Sequence, residues 1–193
     1  SPPHVVAHGL SGTVASLFAR QFPKLFRSLT LISVAPLSTN QWSSHYLEMR
    51  RKLPCSRSSV LSHIVPLLFD KKFNKSNLVL SGFFEKCLDC DFIPGSIASH
   101  SFLPNLSSID IPLSVINGSH DFVVDQNAGL RWMPHLKNGD RFYSLPGGHH
   151  FSHFSQPELY SDLINIFLEM IPDSSLSAFP SKFHSSLSRK ITL

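Results

Sequence analysis

Apolar and polar positions alternate along this chain in blocks that read as strands and helices. His4-Val5-Val6-Ala7 is β-branched and apolar, and it predicts a short buried strand. It runs into the small residues Gly9, Ser11 and Gly12, which predict a sharp turn. From Thr13 onward, apolar residues recur at Val14, Leu17, Phe18, Phe22 and Leu25, the spacing of one helical face. Pro23 predicts a helix stop near Phe22, because proline disfavours helical backbone just before itself. Ser28 to Val34 is almost entirely apolar or β-branched, as expected of a strand covered on both faces. Strand, helix, strand in that order predicts a right-handed βαβ unit with parallel strands.

Residues 37–100 have a different character. Gln41 to Leu53, Ser58 to Phe69 (with a kink expected at Pro66) and Asn77 to Leu88 all read as helices, and Pro94-Gly95 starts a new turn. A block of helices between two core strands is a cap in architectural terms. Trp42, Tyr46, Phe69, Phe83 and Phe84 are aromatics that either pack this cap or line a pocket beneath it. Strand patterns return at Leu113 to Asn117 and Arg141 to Leu145, with a short helix from Leu130 to Leu136 between them. A last helix starts near Pro157 and carries Leu159, Leu163, Phe167 and Met170 on one face. Beyond Pro172 the sequence is serine-rich and aperiodic, the composition of a flexible tail over 173–193.

Composition narrows the function classes. Charged residues are 16% of the 193 and hydrophobic residues 42%, the balance of a soluble globular domain. No apolar run is long enough to span a membrane. The net charge of +4 is scattered, apart from Arg50-Arg51-Lys52 and Lys71-Lys72 with Lys75. A nucleic-acid surface shows a denser basic stripe, so no nucleic-acid partner is expected. Three cysteines, Cys55, Cys87 and Cys90, argue against a disulfide framework and fit a reducing, cytoplasmic location. Cys87-Leu88-Asp89-Cys90 has the C-x-x-C spacing but lies in a helical pattern and lacks a second ligand pair, so it reads as ordinary thiols.

Three loops follow three predicted parallel strands, at Gly9, at Gly118-Ser119-His120-Asp121 and at Pro146-Gly147-Gly148-His149-His150. The carboxyl edge of a parallel sheet is where open α/β folds bind ligands. His149, His150 and His153 have metal-like spacing, but a metal site needs further ligands from elsewhere, and no metal or cofactor is expected.

Ala7-His8-Gly9-Leu10-Ser11-Gly12, Ser28 to Ile32, Gly118 to Asp121 and Pro146 to Gln156 closely resemble the α/β-hydrolase family, over residues 4–36 and about 109–171. That family carries a small-x-nucleophile-x-small elbow, then an acid, then a histidine, in this chain order. The resemblance implies an α/β fold: the C-terminal part of an α/β-hydrolase, with a parallel sheet flanked by helices and a helical cap inserted between core strands. It implies a core at 1–36 and 101–172 and a cap at 37–100. It makes Asp121 the acid and His150 the general base, with His149 as the variant neighbour. The stretch 33–41 has no Asp or Glu, so the acid is not expected after the second strand.

At the tip of the elbow, where the family has serine, this chain has Gly9. Glycine offers no attacking atom, so the serine route through an acyl-enzyme is closed at this position. Glycine also enters the strained tip conformation freely. Ser11 is the nearest substitute hydroxyl, but the opening of a helix is where serine most often serves as a cap. The Leu10 backbone N–H is the oxyanion donor implied by the resemblance. A second donor would come from a loop upstream of Ser1. The chain begins at Ser1 rather than at methionine, and it reads as a fragment whose upstream strands are missing. That leaves the first strand as an open edge and predicts poor solubility or misfolding for 1–193 alone.

Three functions follow. The first is a hydrolase of a small ester, amide or thioester, in which Asp121 and His150 activate water. The alternative is a catalytically silent homologue, a pseudoenzyme that binds a ligand or protein partner in the capped pocket. Lyase chemistry in the same pocket is a third option.

Overall fold

A computed structural model describes residues 1–36, 41–70, 73, 76–90, 108–124 and 126–172. Its order is β1 (His4–His8), α1 (Gly9–Gln21), β2 (Ser28–Ile32), α2 (Trp42–Lys52), α3 (Arg57–Leu68), α4 (Asn77–Leu88), β3 (Leu113–Gly118), α5 (Ala128–Trp132), β4 (Arg141–Leu145) and α6 (Pro157–Glu169). The expected turn at Pro94-Gly95 and the tail 173–193 lie outside the described residues.

The sheet runs β1-β2-β3-β4, every neighbouring pair parallel. β2 and β3 are buried at every position, as their continuous apolar runs require. Alternation along the strands then divides the core. Leu29, Leu31, Leu113 and Val115 face one side, against Ala19 of α1 and Trp132 of α5. Ile32, Ile116 and Leu145 face the other, against Tyr160 of α6. β1 pairs with β2 alone among the described strands, and Val6 is 51% exposed. The first strand is therefore a half-exposed edge rather than a buried strand.

Two helical faces differ from the sequence expectation. α1 buries Gly9, Gly12, Thr13, Ser16 and Ala19, whereas Val14, Phe18 and Phe22 face outward. The helix lies too close to the sheet for large side chains: a β-carbon on Gly12 would sit 2.4 Å from Val34 Cγ2. α6 buries Tyr160 and Phe167, while Leu159 and Met170 are exposed. The Tyr160 hydroxyl pairs with Ser152 Oγ at 2.7 Å, which turns that stripe toward the core.

α2, α3 and α4 lie in sequence between β2 and β3 and share their own core, with Val60, Leu61, Ile64, Val65 and Phe84 at its centre. Ser56 and Ser76 cap α3 and α4, accepting from Ser59 N at 3.1 Å and Val79 N at 3.3 Å. Pro66 sits inside α3, near its C-terminal end. The freed end of α3 is tied to the loop after β4. The Phe151 N–H donates to Leu68 O, and His149 Nδ1 pairs with Leu67 O, both at 2.9 Å. No described helix is long and apolar enough to cross a membrane.

Candidate active site

The turn from β1 into α1 is built around Gly9. Its φ is +55°, in the left-handed region that glycine enters without the clash of a β-carbon. Leu10 is the second residue of α1. Its N–H is among the first-turn donors that have no acceptor within the helix. The Ser11 hydroxyl donates to His8 O at 2.7 Å, and Ser11 is exposed. It closes the turn locally by bonding a carbonyl, rather than by accepting from backbone N–H groups.

The loops after β3 and β4 meet backbone to backbone. A β-carbon on Gly118 would lie 2.1 Å from Gly148 O, so neither loop could approach with a side chain there. Ser119 N–H donates to Leu145 O and His120 N–H to Gly148 O, each at 2.9 Å. Gly147 N–H donates to Ser119 Oγ at 2.9 Å. This junction sets Asp121 beside His150.

Both side chains are buried, at 0% and 3% exposure. His150 Nδ1 stands 3.1 Å from each carboxylate oxygen of Asp121. Asp121 Oδ1 also accepts the N–H groups of Val123 at 2.8 Å and Val124 at 3.0 Å. Burial opposes ionisation of this carboxyl. The bond to His150, its charge and the two N–H groups outweigh that and hold Asp121 below the usual carboxylate range. An ionised Asp121 makes Nδ1–H the donor and leaves Nε2 as the ring nitrogen turned away from the carboxylate. That Nε2 faces the elbow: a β-carbon on Gly9 would lie 3.5 Å from it, in ordinary contact. The structure thus brings Gly9, Asp121 and His150 together, with room at position 9 for a side chain.

Motif spacing gives no signal for two residues that bond the His150 carbonyl, His8 and Ser33, or for Asn117, which ties β3 to the end of β2. His8 Nε2 donates to His150 O at 2.9 Å, and Ser33 Oγ donates to the same oxygen at 3.1 Å. Ser33 has φ 54°, a conformation that costs a non-glycine residue about 1–3 kcal/mol. Asn117 accepts Val34 N–H and donates to Val34 O, both at 3.1 Å, and so fixes the end of β2. His8 stacks on Phe151 at 5.1 Å and packs near His150 and His153 at 4.7 and 4.8 Å. Burial, reinforced by the His150 charge, pushes His8 down to about 3 and His153 to about 4. Both are neutral packing groups at neutral pH. Among the described residues, no group of three or more His, Cys, Asp or Glu side chains could hold a metal ion.

A cavity of about 400 Å³ opens beneath α2–α4. Trp42, Phe69, Phe83 and Phe84 line it, as one reading of the sequence anticipated, and so do Phe73 and Phe151. Tyr46 packs in the core of the three helices instead. Cys87 lies on the cavity wall, and burial raises its thiol pKa. Cys55, Cys87 and Cys90 are all free.

A parallel sheet with helices on both faces, inserted helices after β2, and the elbow, acid and histidine loops at one edge define an α/β-hydrolase fold. Solved structures bear this out. A serine hydrolase from the polyaromatic hydrocarbon-degrading bacterium Cycloclasticus zankles superposes with a TM-score of 0.68 at 16% identity, over 88% of this chain and 65% of its own. A meta-cleavage product hydrolase from Pseudomonas fluorescens IP01 does so with a TM-score of 0.63 at 12% identity, over 86% and 64%. Among curated proteins, the chain is 28% identical to an uncharacterized protein of Nostoc sp. strain PCC 7120 over 88% of its length. It is 31% identical to an uncharacterized protein of Synechocystis sp. strain PCC 6803 over 82%. The chain spans 67% and 62% of those two relatives. No family model matches.

Proposed function

We propose that the protein hydrolyses a small ester, amide or thioester by general-base activation of water, with His150 as the base and Asp121 as its orienting partner. The observation that carries this is the free Nε2 of a buried, carboxylate-paired histidine, 3.5 Å from where a side chain at Gly9 would begin. A water molecule in the space above Gly9 gives its proton to Nε2 as its oxygen attacks the carbonyl carbon. The carbonyl electrons move onto oxygen, where the Leu10 N–H stabilises the charge. Collapse expels the leaving group, which takes the proton back from Nε2. No metal or cofactor enters the balance.

In this reading, 1–36 and 101–172 form the core, and 37–100 act as a cap over a small-molecule substrate. The named activities of the hydrolases that share the fold support the reaction class. Free thiols suit a reducing compartment such as the cytoplasm. A direct attack by water forms no acyl-enzyme. Release of p-nitrophenol from p-nitrophenyl butyrate is therefore linear from the first turnover, and a fluorophosphonate probe labels no residue. An initial burst stoichiometric with protein, or a label on Ser11, would replace the water mechanism with a covalent one.

A second reading is favoured by the engagement of Ser11 with His8 O and by the missing side chain at position 9. In it, the protein is a silent homologue that retains the pocket for a ligand or protein partner. It predicts no ester turnover by the wild type and activity only in Gly9→Ser.

A further inference from the structure

We propose that Ser33 is a positioning residue for the base: its hydroxyl anchors the His150 carbonyl and so keeps Nε2 directed at Gly9. This rests on the reading of His150 as the base but is carried by the end of β2, outside the elbow, acid and histidine loops. Ser33 follows β2 directly and is buried, at 1% exposure. Among the described residues it is the one non-glycine with left-handed backbone, at φ 54°. Glycine would take that conformation without strain but would bring no hydroxyl. The Ser33 hydroxyl donates to His150 O at 3.1 Å. The strained backbone and the bond to the base's own residue therefore belong to one side chain.

The surroundings hold residue 33 from both sides. Its N–H donates to Ile116 O of β3 at 2.9 Å. The next residue is clamped: Asn117 bonds both the N–H and the carbonyl of Val34, and Trp132 Nε1 donates to the same carbonyl at 2.8 Å. Ser33 is thus a fixed point on the sheet edge. His8 Nε2, from the end of β1, reaches the same His150 oxygen at 2.9 Å. A carbonyl only accepts, so two donors from neighbouring parallel strands converge on it. The N–H of that peptide, on Phe151, goes the other way, to Leu68 O of α3 at 2.9 Å. The 150–151 peptide is therefore strung between the sheet and the inserted helices. Removing the Ser33 hydroxyl leaves one bond, from His8, on the sheet side. Asp121 holds the ring at Nδ1, but it does not replace an anchor on the backbone. A shift of about 1 Å at a catalytic group costs about 10²-fold in rate.

The test compares Ser33→Gly with Ser33→Ala in the full chain, each matched to the wild type by circular dichroism. Both remove the hydroxyl, but only glycine relieves the left-handed backbone, so the urea midpoint of Ser33→Gly lies above that of Ser33→Ala. A positioning role predicts that both variants lose kcat on p-nitrophenyl butyrate alike, by about 10–10²-fold, whatever their stability. KM stays within about twofold. The His150 Nδ1 proton resonance, assigned by its absence in His150→Ala, shifts or broadens in both. Wild-type kcat and an unchanged resonance in Ser33→Gly overturn the proposal. A loss confined to Ser33→Ala, following its lower midpoint, does the same. If the wild type turns over no ester, the hydrolase reading fails on its own, and the resonance alone decides. Moved in both variants, it leaves Ser33 as the anchor of the histidine; unmoved in Ser33→Gly, it rules that anchor out.

Discussion

His150 Nε2 points at Gly9, and a β-carbon placed on Gly9 would meet it at 3.5 Å with no closer obstruction. A serine hydroxyl fits that gap. Gly9→Ser is expected to form a nucleophile–base pair, to acquire fluorophosphonate labelling at position 9, and to release p-nitrophenol in a burst. The same change places a β-carbon on a backbone with φ +55°. It is expected to cost about 1–3 kcal/mol of stability, read from urea denaturation.

Asp121 holds the tautomer of His150. Asp121→Asn keeps an oxygen for the Val123 and Val124 N–H groups but removes the charge that makes Nδ1 the donor. The expected outcome is a fall in kcat of about 10²–10⁴ with KM little changed, at native circular dichroism.

The Gly118–Gly148 contact is backbone against backbone, so it has no flexible side chain to yield. Gly118→Ala would put a methyl group 2.1 Å from Gly148 O. The loops must separate, with a loss of about 1–3 kcal/mol or more in denaturant unfolding. The His150 Nδ1 proton resonance, which reports the bond to Asp121, is expected to shift or broaden in the same variant.

Acid unfolding carries the signature of the buried histidines. His8 and His153 have native values of about 3 and about 4, below the ordinary 6.5. Between those values and 6.5 the unfolded chain binds protons that the native chain does not, so stability is whole above pH 6.5 and falls as pH drops. Asp121, held low, adds to the loss at still lower pH. Denaturation midpoints from pH 7.5 to pH 4.5 are expected to decline steadily. His8→Gln, which keeps an N–H for His150 O, makes the slope shallower. A flat profile across that range would show that these rings are not held neutral.

Much of the fold was legible in the sequence because it rests on period and punctuation. Leu113 to Asn117 and Arg141 to Leu145 read as strands from their apolar runs, and Asn77 to Leu88 is a helix with the bounds its spacing predicts. Pro23 ended α1 as expected, opening a short 3-10 turn. The faces of α1 and α6 were not legible. Their burial is decided by how closely the helix approaches the sheet at Gly12 and by one hydroxyl pair at Tyr160. Chain order pointed to Asp121 and His150 through the resemblance, and the geometry places them in contact. His8, Ser33 and Asn117 left no trace in the motifs, because their part is to bond backbone atoms brought near only by folding.

The most direct measurement of the central proposal is kcat/KM for p-nitrophenyl butyrate with the wild type and with His150→Ala, purified in parallel and matched for native circular dichroism. Water activation by His150 predicts saturable wild-type turnover that drops by about 10²–10⁴ in the variant. Equal rates in the two proteins would contradict it.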